Sequence, residues 1–195
     1  MNFPLTRRAL AALALGASIC ATGWAADAPR VKLATTAGDI VIEVYPDKAP
    51  KTAENFLQYV RDKHYDGTIF HRVIDRFMVQ GGGMDAKMNE RPTRPPVVHE
   101  GREALAAGLR NVPGTLSMAR TADPNSATSQ FFINVADNTG RLDPTAGNPG
   151  YTVFGKVVSG MDVVEKIKGV ATGSAGMHND VPLTPVVITT ATLVK

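Results

Sequence analysis

A single arginine, Arg72, stands among apolar and β-forming side chains in the stretch Phe70 to Gly83, FHRVIDRFMVQGGG, which also carries an amide, Gln80, and a run of three glycines. A guanidinium stays protonated and presents five donors in a fixed fork. In apolar surroundings it is tolerated only where those donors have partners. Residues of one parity share a strand face, so Arg72, Met78 and Gln80 look the same way provided that Asp75 and Arg76 do not shift the register. Such a group suits hydrogen bonding and charge stabilisation without proton transfer; the other reading is a strand with one solvated arginine. Nothing nearby supplies a nucleophile, base and acid. His71 adjoins Arg72 and reads as structural, and Ser117, Ser126 and Ser129 lack the elbow sequence of hydrolase nucleophiles. His64, His99 and His178 are scattered without ligand spacing, so no metal site and no cofactor are expected.

The elements that must position Arg72 begin after a leader. Met1 to Ala25 carries Arg7 and Arg8, an Ala/Leu-rich stretch from Ala9 to Ala21, and small residues before a cut after Ala25. That is a secretory signal, too short and too weakly apolar to span a membrane; both the general and the twin-arginine export routes fit it. Cys20 follows Ile19 where a lipid-anchoring signal needs a small residue, so no membrane anchor is expected. The remaining 170 of 195 residues suffice for one domain, residues 26–195. Taking Arg7 and Arg8 from the 21 basic residues leaves 19 against 18 acidic ones. A nearly neutral chain without a Lys/Arg block excludes nucleic-acid and membrane-surface partners from the expectation. The only cysteine leaves with the leader, so the exported domain stands on its core, without disulfides.

Along the chain, Val31 to Tyr45 reads as a hairpin turning at Ala37-Gly38-Asp39, and Ala53, Phe56, Leu57 and Val60 recur at helical spacing from Pro50 to Lys63. Gly81 to Pro113 is rich in Gly, Pro and charge, with one helical turn at Glu103 to Leu109. One or two strands are predicted over Phe70–Gly83, further strands at Gly114–Arg120, Ser129–Val135, Tyr151–Val158 and Val186–Leu193, and a second helix at Met161–Ile167. About eight short strands and two helices describe an all-β sandwich or a closed barrel.

Five words in order, Phe70-His71-Arg72-Val73-Ile74, Phe77-Met78-Val79-Gln80-Gly81-Gly82, Gly114-Thr115-Leu116-Ser117-Met118-Ala119, Ser129-Gln130-Phe131-Phe132-Ile133 and Val153-Phe154-Gly155-Lys156-Val157, resemble the cyclophilin family of peptidyl-prolyl cis/trans isomerases. With the leader, and with the run Met118 to Asp123, the chain is most similar to periplasmic cyclophilins of Gram-negative bacteria. The resemblance implies a closed eight-stranded antiparallel β-barrel capped by two α-helices. It implies a monomer that assists the folding of exported proteins by turning X-Pro bonds in proline-containing, unfolded or partly folded polypeptides.

By the same resemblance Arg72 is the catalytic residue. Phe77, Met78, Phe132, Leu142 and Tyr151 build the proline pocket, and Gln80, Gln130 and the backbone at Ala119 and Arg120 hold the peptide. The alternative on the same barrel is a module that grips proline segments without turning them. The chain also departs from the family. Gly140-Arg141 precede Leu142 where many relatives have a tryptophan, and Tyr151 replaces a histidine, so tight binding of cyclosporin is not expected. Arg120 stands where many have asparagine, and its side chain is expected to be free to favour acidic neighbours of the proline.

Overall fold

The computed structural model describes residues 28–194, so the export signal expected over residues 1–25 lies outside the described residues. The first hairpin forms where alternation predicts it. β1 (Arg30–Thr35) and β2 (Gly38–Val44) pair antiparallel, and their inward residues Val31, Leu33, Ile40, Ile42 and Val44 are fully buried. The helix α1 (Pro50–Arg61) starts on a proline whose fixed φ suits a first turn and buries Ala53, Phe56, Leu57 and Val60, the residues that recur at helical spacing. No local side chain caps it. Instead the Glu100 carboxylate, far along the chain, accepts from Lys51 N at 3.0 Å, Thr52 N at 2.7 Å and Thr52 Oγ1 at 2.7 Å. An anion at a helix N-terminus meets both the free amides and the dipole, and here it also ties down the segment that precedes Gly101.

The chain continues through β3 (Thr68–Ile74), β4 (Met78–Asp85), α2 (Gly101–Ala106), β5 (Thr115–Met118), a 3₁₀ turn (Pro124–Ser126), β6 (Phe131–Asn134), α3 (Thr139–Leu142), β7 (Val153–Ser159), α4 (Met161–Lys168), β8 (Thr172–Ala175), β9 (His178–Pro182) and β10 (Val187–Val194). Eight strands close into an antiparallel barrel in the order β1-β10-β3-β4-β6-β5-β7-β2. Closure leaves no strand edge unpaired around the barrel. Its core joins the inward faces of the strands to α1 and α4: Phe56 lies 5.2, 5.6 and 5.1 Å, centroid to centroid, from Tyr65, Phe131 and Phe154, and α4 adds Val163, Val164 and Ile167. Burying a side chain of this size stabilises the fold by roughly 1.5–3 kcal/mol.

Two features differ from the sequence reading. The helical turn expected at Glu103 to Leu109 forms as α2, starting at Gly101, and α3 is a further short helix whose four residues are too few to show a helical period. A two-stranded hairpin, β8-β9, stands apart from the barrel and packs against β3. Its Thr-Gly-Ser-Ala and His-Asn-Asp runs lack the alternation that marks strands.

Candidate functional site

The hairpin of β3 and β4 sets the geometry around Arg72. It turns through Asp75 and Arg76, the latter at φ 61°, with Arg76 N donating to Asp75 Oδ1. Cross-strand pairing puts Ile74 opposite Met78 and Arg72 opposite Gln80, so these residues share the outer face as parity predicts. Beyond that pair the register shifts: Phe70 faces Gly81, which leaves His71 as the extra residue of a β-bulge. The bulge lets Phe70 point into the core while Arg72 points out, a re-aiming of the kind bulges provide.

The glycine run explains itself here. A Cβ on Gly82 would sit 2.8 Å from the Tyr65 ring, and one on Gly83 would sit 2.4 Å from Gln130 Cγ. Gln130 therefore lies directly on the β4 backbone, where its Oε1 accepts from Gln80 Nε2 at 2.9 Å. Any side chain at Gly83 would displace it.

Alternation on β6 supplies the floor. Phe131 and Ile133 belong to the barrel core, while Phe132 faces outward and joins Met78 and Leu142 in a separate small apolar cluster, with Phe77 and Tyr151 against it. Together with Arg72, Gln80, Ala119 and Arg120 these residues line a hollow of about 200 Å³. That is smaller than the roughly 300–1,000 Å³ of drug-sized pockets, and suits one compact apolar side chain.

A buried polar network holds the floor from behind. Asn111, wholly buried, directs its backbone N and its Nδ2 to Asp143 Oδ1 at 2.9 and 3.0 Å, and its Oδ1 accepts from Ser117 Oγ at 2.7 Å and Asn134 Nδ2 at 3.2 Å. Asn138 Nδ2 donates to Asn134 Oδ1 and to the Phe77 carbonyl, at 2.7 and 2.8 Å. The network thus ties β5, β6, Phe77 and the start of α3, which carries Leu142, into one unit.

Residues 30–193 match the family profile described as cyclophilin type peptidyl-prolyl cis-trans isomerase. The chain belongs to the cyclophilin family. It is 56% identical over 164 residues to a peptidyl-prolyl cis-trans isomerase of Streptomyces antibioticus, covering 83% of this chain and 96% of that one. It is 52% identical over 161 residues to peptidyl-prolyl cis-trans isomerase B of Escherichia coli, covering 82% and 96%. The solved cyclophilin AquaCyp293 from Hirschia baltica superposes with a TM-score of 0.66 at 26% identity, covering 85% of this chain and 73% of its own. The activity of this cyclophilin is the cis/trans isomerisation of peptidyl-prolyl bonds.

Of the ten residues assigned to the site from sequence, nine line the one hollow. The tenth, Gln130, lines the neighbouring groove with Gln80, Ala119, Arg120 and Thr121. Arg120 departs from expectation. Its side chain is not free: Nε and Nη2 donate to the Gly150 carbonyl at 3.0 and 2.8 Å, Nη1 donates to Thr121 O, and the guanidinium lies 4.5 Å from the Tyr151 ring centroid. Stacking a cation on a tyrosine fixes both, so Arg120 serves as a wall of the hollow. Tyr151 in turn meets Phe132 edge-on at 5.6 Å. Arg72, by contrast, is not buried. Its side chain is 44% exposed, with Nε 3.7 Å from Asp180 Oδ2 on β9.

His71 behaves as a structural residue. It is 5% exposed, and its Nδ1 has no hydrogen-bond partner. Burial pushes its pKa down to about 4, and the nearby His178 acts in the same direction. Between that value and the ordinary one of about 6.5, the unfolded chain takes a proton that the folded protein refuses. Stability is therefore full above about pH 6.5 and falls as pH drops toward 4, by about 3 kcal/mol in all. Urea midpoints at pH 7 and pH 4.5 check this: a neutral His71→Gln protein should lose clearly less stability over that interval than the wild type. Equal losses would assign the acid sensitivity elsewhere. Among the described residues no group of three or more His, Cys, Asp or Glu is placed to hold a metal, and no helix is long and apolar enough to cross a membrane.

Proposed function

We propose that this cyclophilin accelerates rotation about X-Pro bonds in exported proteins, with Arg72 as the catalytic residue. The observation that carries the reading is a permanently charged fork at the rim of an apolar hollow large enough for one proline ring. An X-Pro bond turns slowly because amide resonance must be broken, a barrier of roughly 18–20 kcal/mol. In the twisted state the proline nitrogen becomes pyramidal and its lone pair can accept a hydrogen bond. A donor aimed there stabilises the twisted amide and leaves the planar one unaffected. Phe77, Met78, Phe132, Leu142 and Tyr151 take the ring, while Gln80, Gln130 and the backbone of Ala119 and Arg120 hold the chain on either side. Bound peptide covers Arg72 and removes the water that now screens it.

All these residues come from one chain, which supports a working monomer. The leader sequence supports export: residues 1–25 are removed and residues 26–195 work as one domain in the periplasm, on proline-containing polypeptides and without nucleic acid. Sequencing the N-terminus of the protein recovered from a bacterial periplasm checks this, with Ala26 expected first.

The activity itself is tested by exchange spectroscopy on a short Ala-Pro peptide. Wild type should accelerate exchange; a folded protein that does not would overturn the reading. Since no step transfers a proton, kcat/KM should stay within about twofold from pH 6 to 9. A bell-shaped profile would instead require a titrating acid or base.

A further inference from the structure

Arg72 has one charged neighbour among the described residues, and it comes from an element the sequence reading did not anticipate. Asp180 lies on β9, the inner strand of the hairpin packed against β3, with Oδ2 3.7 Å from Arg72 Nε. Its backbone is at φ 61°, a left-handed conformation that costs an L-residue energy but that aspartate tolerates better than most. The strained residue is the one that meets the arginine. Backbone strain kept at such a point is a reason to look for a role.

We propose that Asp180 is a positioning residue for Arg72, an inference that rests on the catalytic reading of that arginine. A free arginine side chain has four rotatable bonds, and a half-exposed one samples many rotamers. A carboxylate beside Nε restrains the plane of the guanidinium from its inner edge. Both terminal amino groups then remain for the substrate, and no hydrogen bond to them is made by the described residues. Gln80, opposite Arg72 on β4, is itself held by Gln130, so the arginine lies between a fixed amide and the Asp180 carboxylate. On its far side opens a second cavity of about 430 Å³, whose lining includes His71, His178 and Asp180. Without the carboxylate, that space lets the guanidinium swing away from the hollow.

Exposed ion pairs are worth from almost nothing to about a factor of five. The expected effect is therefore modest, and falls on kcat. Asp180→Asn is the decisive variant, because asparagine accepts the same left-handed backbone and preserves the hairpin. The experiment measures kcat and KM on an Ala-Pro peptide for wild type, Asp180→Asn, Arg72→Ala and the double variant, with thermal unfolding as a check on folding. Asp180→Asn should lower kcat about threefold with KM unchanged, and should have no effect once Arg72 is alanine. An unchanged kcat in Asp180→Asn overturns the proposal. So does the same loss in both backgrounds, which would make the effect structural. Undiminished activity in Arg72→Ala would instead overturn the reading of Arg72 itself, and with it the basis for this role.

Discussion

Arg72→Ala lowers kcat/KM on an Ala-Pro peptide by about 100- to 1,000-fold, the size of loss found when one preorganised donor is removed from a developing charge. Nothing else at the rim of the hollow replaces it. Gln80 is committed to Gln130, and the Arg120 guanidinium is committed to Gly150, Thr121 and the Tyr151 ring. The residual activity comes from the apolar hollow, which still grips the ring. Arg72→Lys should recover little of the loss. An ammonium keeps the charge but gives up the planar fork, and it cannot engage Asp180 at one edge while donating from the other. A coupled kinetic assay on all three proteins reads both effects, and a lysine variant near wild-type activity would show that charge alone suffices.

Asn111→Ala is expected to cost about 3 kcal/mol, although it lies behind the hollow and touches no substrate. The substitution leaves Ser117 Oγ without its 2.7 Å acceptor and takes one of the two bonds that Asn111 gives to the Asp143 carboxylate. Asn134 retains Thr115 Oγ1 at 3.0 Å, so the network is weakened and not abolished. A buried polar group left unpaired costs about 1–3 kcal/mol, and two are disturbed here. For a domain of this size the melting temperature should fall by about 10 °C. The network positions Phe77 through Asn138, and Asp143 adjoins Leu142, so KM should rise as the floor loosens. Thermal unfolding and KM measured on the same preparation check the two together. A stable variant with wild-type KM would show that the floor is held by apolar packing alone.

The barrel was legible because its inward faces repeat with the period of their elements. The alternation of Ile40, Ile42 and Val44 and the helical spacing of Ala53, Phe56, Leu57 and Val60 are core positions in the structure. The site was legible for another reason: its residues sit in short ordered words, and pairing across β3 and β4 and across β4 and β6 carries those words to one face. What escaped the sequence depends on contacts between distant residues. Glu100 caps a helix it follows by half a barrel, and Asn111 meets Asp143 through side chains that give no period. Arg120 has donors enough to reach solvent or substrate. Only the nearness of the Gly150 carbonyl and the Tyr151 ring decides that it folds back. Asp180 sits in a hairpin whose residues lack the alternation of a strand, so nothing local announces that it meets Arg72.

The central claim is that Arg72 acts on the twisted amide and adds little to holding the planar one. A single set of NMR samples tests it, in which the Ala-Pro peptide is titrated with wild type and with Arg72→Ala while binding shifts and cis/trans exchange are both recorded. The account predicts peptide affinity within about threefold of wild type in the variant, with catalysed exchange lost. Affinity that falls by the same factor as the exchange rate would make Arg72 a uniform binding group, and exchange that persists in the variant would place catalysis on other residues.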